Sequence, residues 1–214
     1  MSISISRRFR ARALLGALFA ILAMGSGTAL AKSIEQQNLF ELMTHAESIV
    51  VGTVTDKTDG FQNGLPFTEI TVAVGQSIKG NHGKEYTFRQ FGLIEPKAMG
   101  DGRVNLMVTP AGWPTYTKGE SVMLFLHAPA SETGFQTTAG LDQGKFSIRS
   151  GRIANSLNNG ALFDEVSIGG KLTPNQRDLV NQAGGAYAAE DFISLVRTIV
   201  EEQWIENGVM THED

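Results

Sequence analysis

Between residues 48 and 157 the apolar positions recur every second residue in short runs, each closed by glycine, proline or an Asn-Gly pair. On either side of that stretch the spacing turns helical. Period-2 runs bounded by turn residues predict half-buried strands. The expected strands are Ile49–Thr55, Phe67–Ile78, Glu85–Phe91, Phe135–Gly140, Lys145–Arg149 and Arg152–Leu157, with a short one within Val104–Val108. Ser121–Leu126 is a nearly continuous apolar run, the pattern of a strand buried on both faces. Asp59-Gly60, Asn63-Gly64 and Asn159-Gly160 are turn signals, and Lys79–Gly83 turns the chain between the second and third strands. Residues 92–118 are punctuated by glycine and proline and have no sustained period.

The flanks predict helices. Ser33 and Gln36 have capping-box spacing ahead of the stripe Ile34, Leu39, Phe40, Leu42 and Met43, giving a helix over 33–46. Thr173-Pro174-x-Gln176 is a helix start, stopped by Gly184-Gly185. Phe192, Leu195, Val196, Ile199 and Val200 repeat at helical spacing, and Trp204, one turn on, is expected in the core.

Residues 1–31 read as a secretory leader, with Arg7, Arg8, Arg10 and Arg12 before an apolar run from Ala13 to Met24. Ala29-Leu30-Ala31 is a cleavage pattern that places the mature start at Lys32. The Arg7-Arg8 pair resembles a twin-arginine signal, but Phe9 follows where that motif has a spacer. The expected organisation is a leader (1–31), a mainly β domain (32–170) and a C-terminal helical extension packed on it (171–214). The expected setting is exported, in the periplasm or outside the cell, with no membrane span after cleavage.

Composition narrows the chemistry. The 214 residues carry 22 acidic and 18 basic side chains, and four of the basic ones lie in the leader, leaving −8 from Lys32 onward. That balance argues against nucleic acid, whose binders need a basic footprint. The absence of cysteine removes disulfides, zinc-thiolate sites and thiol nucleophiles. No pair among His45, His82, His127 and His212 has the i, i+4 spacing of a helical zinc site, and no Gly-x-Ser-x-Gly elbow or phosphate loop occurs. Asp56, Asp59 and Asn63 lack the alternation of a calcium loop, as do Asp101 and Asn105, and read as solvated turns. No cofactor or metal is expected.

The Ala46-Glu47-Ser48-Ile49-Val50-Val51-Gly52-Thr53-Val54 run resembles the first strand of the OB-like netrin-type domain, as in tissue inhibitors of metalloproteinases. There an A-D-x-V-V-x-G-x-V strand leads into a hairpin ending in Lys-Gly, here Lys79-Gly80. Gly119–Leu126 followed by Gly140–Phe146 is similar to exported bacterial proteins with the same order of blocks. The resemblance covers roughly residues 46–149 and implies a small OB-like antiparallel β-barrel with a short N-terminal helix and C-terminal helices. The metalloproteinase inhibitors chelate zinc through an amino-terminal cysteine, and a chain without cysteine cannot use that mechanism.

The stretch Ala111–Lys118 places Trp113, Pro114 and Tyr116 in one glycine- and proline-bounded loop. Such aromatics anchor protein interfaces, stack on sugar rings, or plug the end of a barrel. Trp113, Pro114 and Tyr116 are therefore the candidate partner-binding residues. The leading expectation is a non-enzymatic exported module that binds a protein or glycan of the cell envelope. The alternatives are a hydrolase with a dispersed site drawn from His82, His127, Asp101 or Glu120, and a structural accessory subunit of an envelope assembly.

Overall fold

The computed structural model describes residues 35–213. The expected leader, and Ser33 of the expected first helix, lie outside the described residues. Helix α1 (Leu39–His45) begins later than Ser33–Gln36 spacing predicts, because Asn38 is the cap: its side chain accepts from the Glu41 N–H, and Glu41 reaches back to the Asn38 N–H. The preceding residue, Gln37, is anchored by its own N–H, which donates to the Gln143 side chain at 2.8 Å.

Strands β1 (Ser48–Gln62) and β2 (Leu65–Lys79) form one long antiparallel hairpin. Asp59-Gly60 is not a turn; it lies inside this ladder, opposite Thr68 and Phe67. The reversal falls at Asn63-Gly64, where φ of 51° and 80° are the left-handed values that a two-residue hairpin turn needs. Asp59 instead receives the Thr68 hydroxyl at 2.9 Å and the Ile94 N–H at 3.0 Å. Three register shifts interrupt the β1–β2 ladder, at Ile49/Val50, Val51/Gly52 and Val54/Asp56, and such bulges bend a strand and increase its twist.

Strands β3 (Glu85–Phe91), β6 (Ser121–Leu126), β7 (Lys145–Arg149), β8 (Arg152–Ala154) and β10 (Tyr187–Ala188) complete a seven-stranded antiparallel sheet of order β10-β8-β7-β6-β1-β2-β3. Two short pairs stand apart: β4 (Lys97–Ala98) with β5 (Val104–Asn105), and β9 (Val166–Ile168) with β11 (Met210–His212). The molecule is thus mainly β, and the sheet is an open row whose edges are β3 and β10. The expected strand over Phe135–Gly140 does not form a ladder. That segment makes one bridge, Thr138 to Leu126, and its Gln136 N–H donates to the Arg89 carbonyl of β3 at 2.8 Å. Glycine and threonine turns at both of its ends leave too few paired residues for a strand.

Two clusters of buried side chains lie on the two faces. Strand β6 shows why its sequence is apolar throughout: Met123 and Phe125 belong to one cluster, Val122, Leu124 and Leu126 to the other. The first cluster is roofed by α1 and by α3 (Ala189–Glu201), whose Phe192, Leu195, Val196 and Ile199 are buried, and Trp204 joins it. Helix α2 (Pro174–Val180) starts at the expected capping box, Thr173 with Gln176. The second cluster is smaller: Val54, Ile70, Val72, Phe88 and Tyr116 enclose it with β6. No helix among the described residues is long and apolar enough to cross a membrane.

Candidate functional site

The loop Ala111–Lys118 is irregular in sequence yet pinned through the carbonyls of Gly112, Pro114 and Thr115. Gln90 Nε2 donates to the Pro114 carbonyl at 2.9 Å, Lys145 Nζ to the Thr115 carbonyl at 2.6 Å, and the Asp142 N–H to the Gly112 carbonyl at 3.1 Å. The Gly119 N–H closes it on the Val54 carbonyl at 2.7 Å. The three candidate residues part company here. Tyr116 is 5 % exposed and edge-on to Phe88, with ring centroids 5.7 Å apart, and it fills the second cluster. Pro114 is buried, and Trp113 is half-buried beside Phe91.

The loop is a wall between two cavities. On one side lies a cavity of about 420 Å³ lined by Trp113, Lys145, Ser147, Arg149 and Arg152. On the other lies one of about 380 Å³ lined by Gln90, Ile94, Pro96, Val108 and Tyr116. Pro114 and Thr115 belong to both. Tyr116 and Gln90, which line the second cavity, keep the phenol hydroxyl and Oε1 buried with no hydrogen-bond partner among the described residues. Burial pushes the Tyr116 phenol far above its ordinary value, and the charge of Glu120 adds to the effect, so the hydroxyl stays protonated.

Glu120 lies under the loop. Lys145 Nζ is 2.8 Å from both of its carboxylate oxygens, Ser147 Oγ donates to Oε1 at 2.7 Å, and the Thr117 N–H donates to Oε2 at 3.2 Å. Burial alone pushes the Glu120 carboxyl up, but the bonds from Lys145 and Ser147, the lysine charge and the Thr117 N–H together hold it below the usual glutamate value. A carboxylate so stabilised is a poor acceptor for a proton from Ser147, so this trio fastens the loop to β7 rather than activating a nucleophile.

The residues of a dispersed hydrolytic site are not gathered. Glu120 and His127 flank opposite ends of β6; Asp101 is paired with Arg103 at the β4–β5 turn; and His82 lies against the Tyr86 ring, 4.3 Å between centroids. His127 Nδ1 lies 3.1 Å from the His45 carbonyl, and none of the four hydrogen-bonds to another among the described residues.

Sequence reasoning missed the most exposed apolar feature. Of the eight large hydrophobic side chains that are exposed among the described residues, six lie between Ile94 and Val108: Ile94, Met99, Val104, Leu106, Met107 and Val108. This flap carries the β4–β5 pair and is rooted by the Ile94 N–H on Asp59 and by exchange of backbone bonds between Leu93 and Thr109 or Met107. Its residues alternate weakly between glycines, so no period marks them; the signal was their apolar character in a segment too short to bury it. Arg149 and Arg152 were also missed, although the adjacent expected strands 145–149 and 152–157 already placed them at a hairpin turn.

Comparison with known protein families, with curated proteins and with solved structures gives no match to this chain.

Proposed function

We propose that the chain is an exported, non-enzymatic binding module that holds a protein partner of the cell envelope through the flap Ile94–Val108. The observation that carries this reading is the concentration of six exposed large apolar side chains on one rooted flap, with Leu106 the most exposed at 71 %. Apolar groups gathered this way on a surface mark an interaction site. The flap borders a cavity lined by Ile94, Pro96, Val108 and Tyr116, with Lys57 and Glu95 also in its lining, an arrangement suited to an apolar side chain with polar groups beside it. Export is supported by the leader pattern of residues 1–31.

An OB-like barrel remains our reading of the architecture's origin. It is supported by the bulged β1–β2–β3 meander and by the segment 135–139, which hydrogen-bonds to β6 at one side and to β3 at the other.

The test places a photo-crosslinking amino acid at Leu106 in cells producing the protein. A discrete crosslinked protein is expected, and it should be lost when Val104, Met107 and Val108 are changed to serine. The reading fails if the serine variant yields the same product, or if the only product is a second copy of this chain.

A further inference from the structure

The β7–β8 hairpin turns on Ser150-Gly151 and places Arg149 directly opposite Arg152. Like charges facing each other across an antiparallel pair weaken it. Arg152 also borders a small cavity that Asp178 and Asp191 line, but among the described residues no ion pair involves Arg149 or Arg152, and Arg152 Nη2 donates to the Ala186 carbonyl. Both arginines line the 420 Å³ cavity beside the loop, where Asp142 is the one carboxylate in the lining and the Lys145 charge is already matched by Glu120. The cavity therefore carries an excess of positive charge in a chain whose formal charge is −4.

The rest of the lining says what kind of anion fits. Trp113 forms one wall, held by its contact with Phe91, and Thr115 and Ser156 bring short hydroxyls, whereas the Ser147 hydroxyl and the Asn155 amide are engaged within the protein. An aromatic face beside hydroxyl groups suits a ring that is apolar on its face and hydroxylated at its rim. The paired guanidinium groups suit an oxyanion that presents two or more oxygens to them. We propose that this cavity binds a sugar ring bearing an anionic group, with the anion between Arg149 and Arg152 and the ring against Trp113. A carboxylated and a sulfated sugar share that chemistry. The site lies across the loop from the apolar flap, so it stands or falls independently of the protein partner.

The experiment is calorimetric titration of the purified protein, in low salt, with four probes: an oligogalacturonide, its sulfated neutral-sugar counterpart, the uncharged oligogalactoside of the same length, and inorganic sulfate. At least one charged sugar is expected to bind tenfold or more tightly than both the uncharged oligomer and sulfate. That affinity should fall at least tenfold in Arg149→Gln/Arg152→Gln and in Trp113→Ala. Because the arginine variant relieves a like-charge contact, its thermal midpoint should equal or exceed that of the unmodified protein, which separates loss of the site from loss of the fold. Equal binding of charged and uncharged sugars overturns the proposal, as does sulfate binding as tightly as the sugars, full affinity in the arginine variant, or no binding of either charged sugar.

Discussion

Lys145 and Glu120 form an ion pair at 2.8 Å with only 12 % and 9 % of their side chains exposed. Glu120 belongs to the turn before β6, while Lys145 opens β7, so the pair ties the end of the aromatic loop to the middle of the sheet. Lys145 also donates to the Thr115 carbonyl and lies 5.2 Å from the Tyr116 ring centroid. Removing one partner of a buried pair leaves the other charge uncompensated. Lys145→Met is therefore expected to destabilise the protein by about 3–5 kcal/mol. Lys145→Met/Glu120→Leu, which removes both charges, should recover most of that loss, and urea unfolding of the three proteins measures the difference. The sign of the pH dependence follows from Glu120. Its folded value lies below the ordinary one, so its stabilisation is present above the ordinary glutamate range and is lost as the pH falls through the folded value. The Lys145→Met variant should show a shallower loss of stability on acidification than the unmodified chain.

All three tyrosines resist ionisation. Burial is the main cause in each: it raises Tyr86 against the opposing effect of its side-chain hydrogen bonds with Gln136 and Ser48, raises Tyr116 far above the ordinary range, and with the charge of Asp164 pushes Tyr187 up to about 12. As pH rises past the ordinary tyrosine value of about 10, the unfolded chain releases phenolic protons that the folded one retains. Stability should therefore fall with rising pH in that range. Absorbance at the phenolate band should stay low at pH 10 and then rise together with the loss of circular dichroism. A smooth phenolate titration in the still-folded protein would contradict the buried placement of Tyr116 and Tyr187.

Two glycines separate a conformational requirement from a packing one. Gly64 has φ of +80° and open space around a notional Cβ, so Gly64→Ala should cost about 1–2 kcal/mol through the left-handed backbone alone. At Gly52 the backbone is ordinary, but a Cβ would press into the Ala73 carbonyl of the neighbouring strand, at one of the β1 bulges. Gly52→Ala should be the more damaging substitution, and Gly64→Asn should recover part of the Gly64→Ala loss because asparagine tolerates the left-handed region. Chemical denaturation of the three variants gives the ranking.

What the sequence made legible was mostly what local rules control. The β3 and β7 boundaries match their alternating runs, and β6, with no alternation, lies between two hydrophobic clusters as a continuous apolar run should. The Thr173 capping box opens α2 as expected. The errors arose where distant partners decide. Asp59-Gly60 has turn composition, but Thr68 and Ile94 give the carboxylate partners that keep it within the ladder. Asn38 caps α1 because Glu41 completes its box and Gln143, over a hundred residues on, holds the entering chain. Phe135–Gly140 has strand composition but finds only two backbone hydrogen bonds on the β6 side and one on the β3 side. The candidate site was legible as a loop, not as a wall. That Trp113 and Tyr116 serve different cavities depends on Gln90, Asp142 and Lys145, which no local pattern links to them.

That division of labour sets the last prediction. Tyr116→Ala removes a ring from the second cluster and is expected to destabilise by about 3–5 kcal/mol, so any loss of binding in that variant reports on the fold. Tyr116→Phe keeps the ring and deletes a buried hydroxyl that has no partner, and should leave stability equal or slightly higher. If the hydroxyl serves the partner held under the flap, crosslinking from Leu106 should weaken in Tyr116→Phe while the thermal midpoint holds. Trp113→Ala, on the other side of the wall, should leave that crosslink intact, since Trp113 lines only the cationic cavity. A Trp113→Ala protein that folds normally but loses the Leu106 crosslink would mean that the two cavities act as one site, and that the flap and the arginine hairpin grip the same partner.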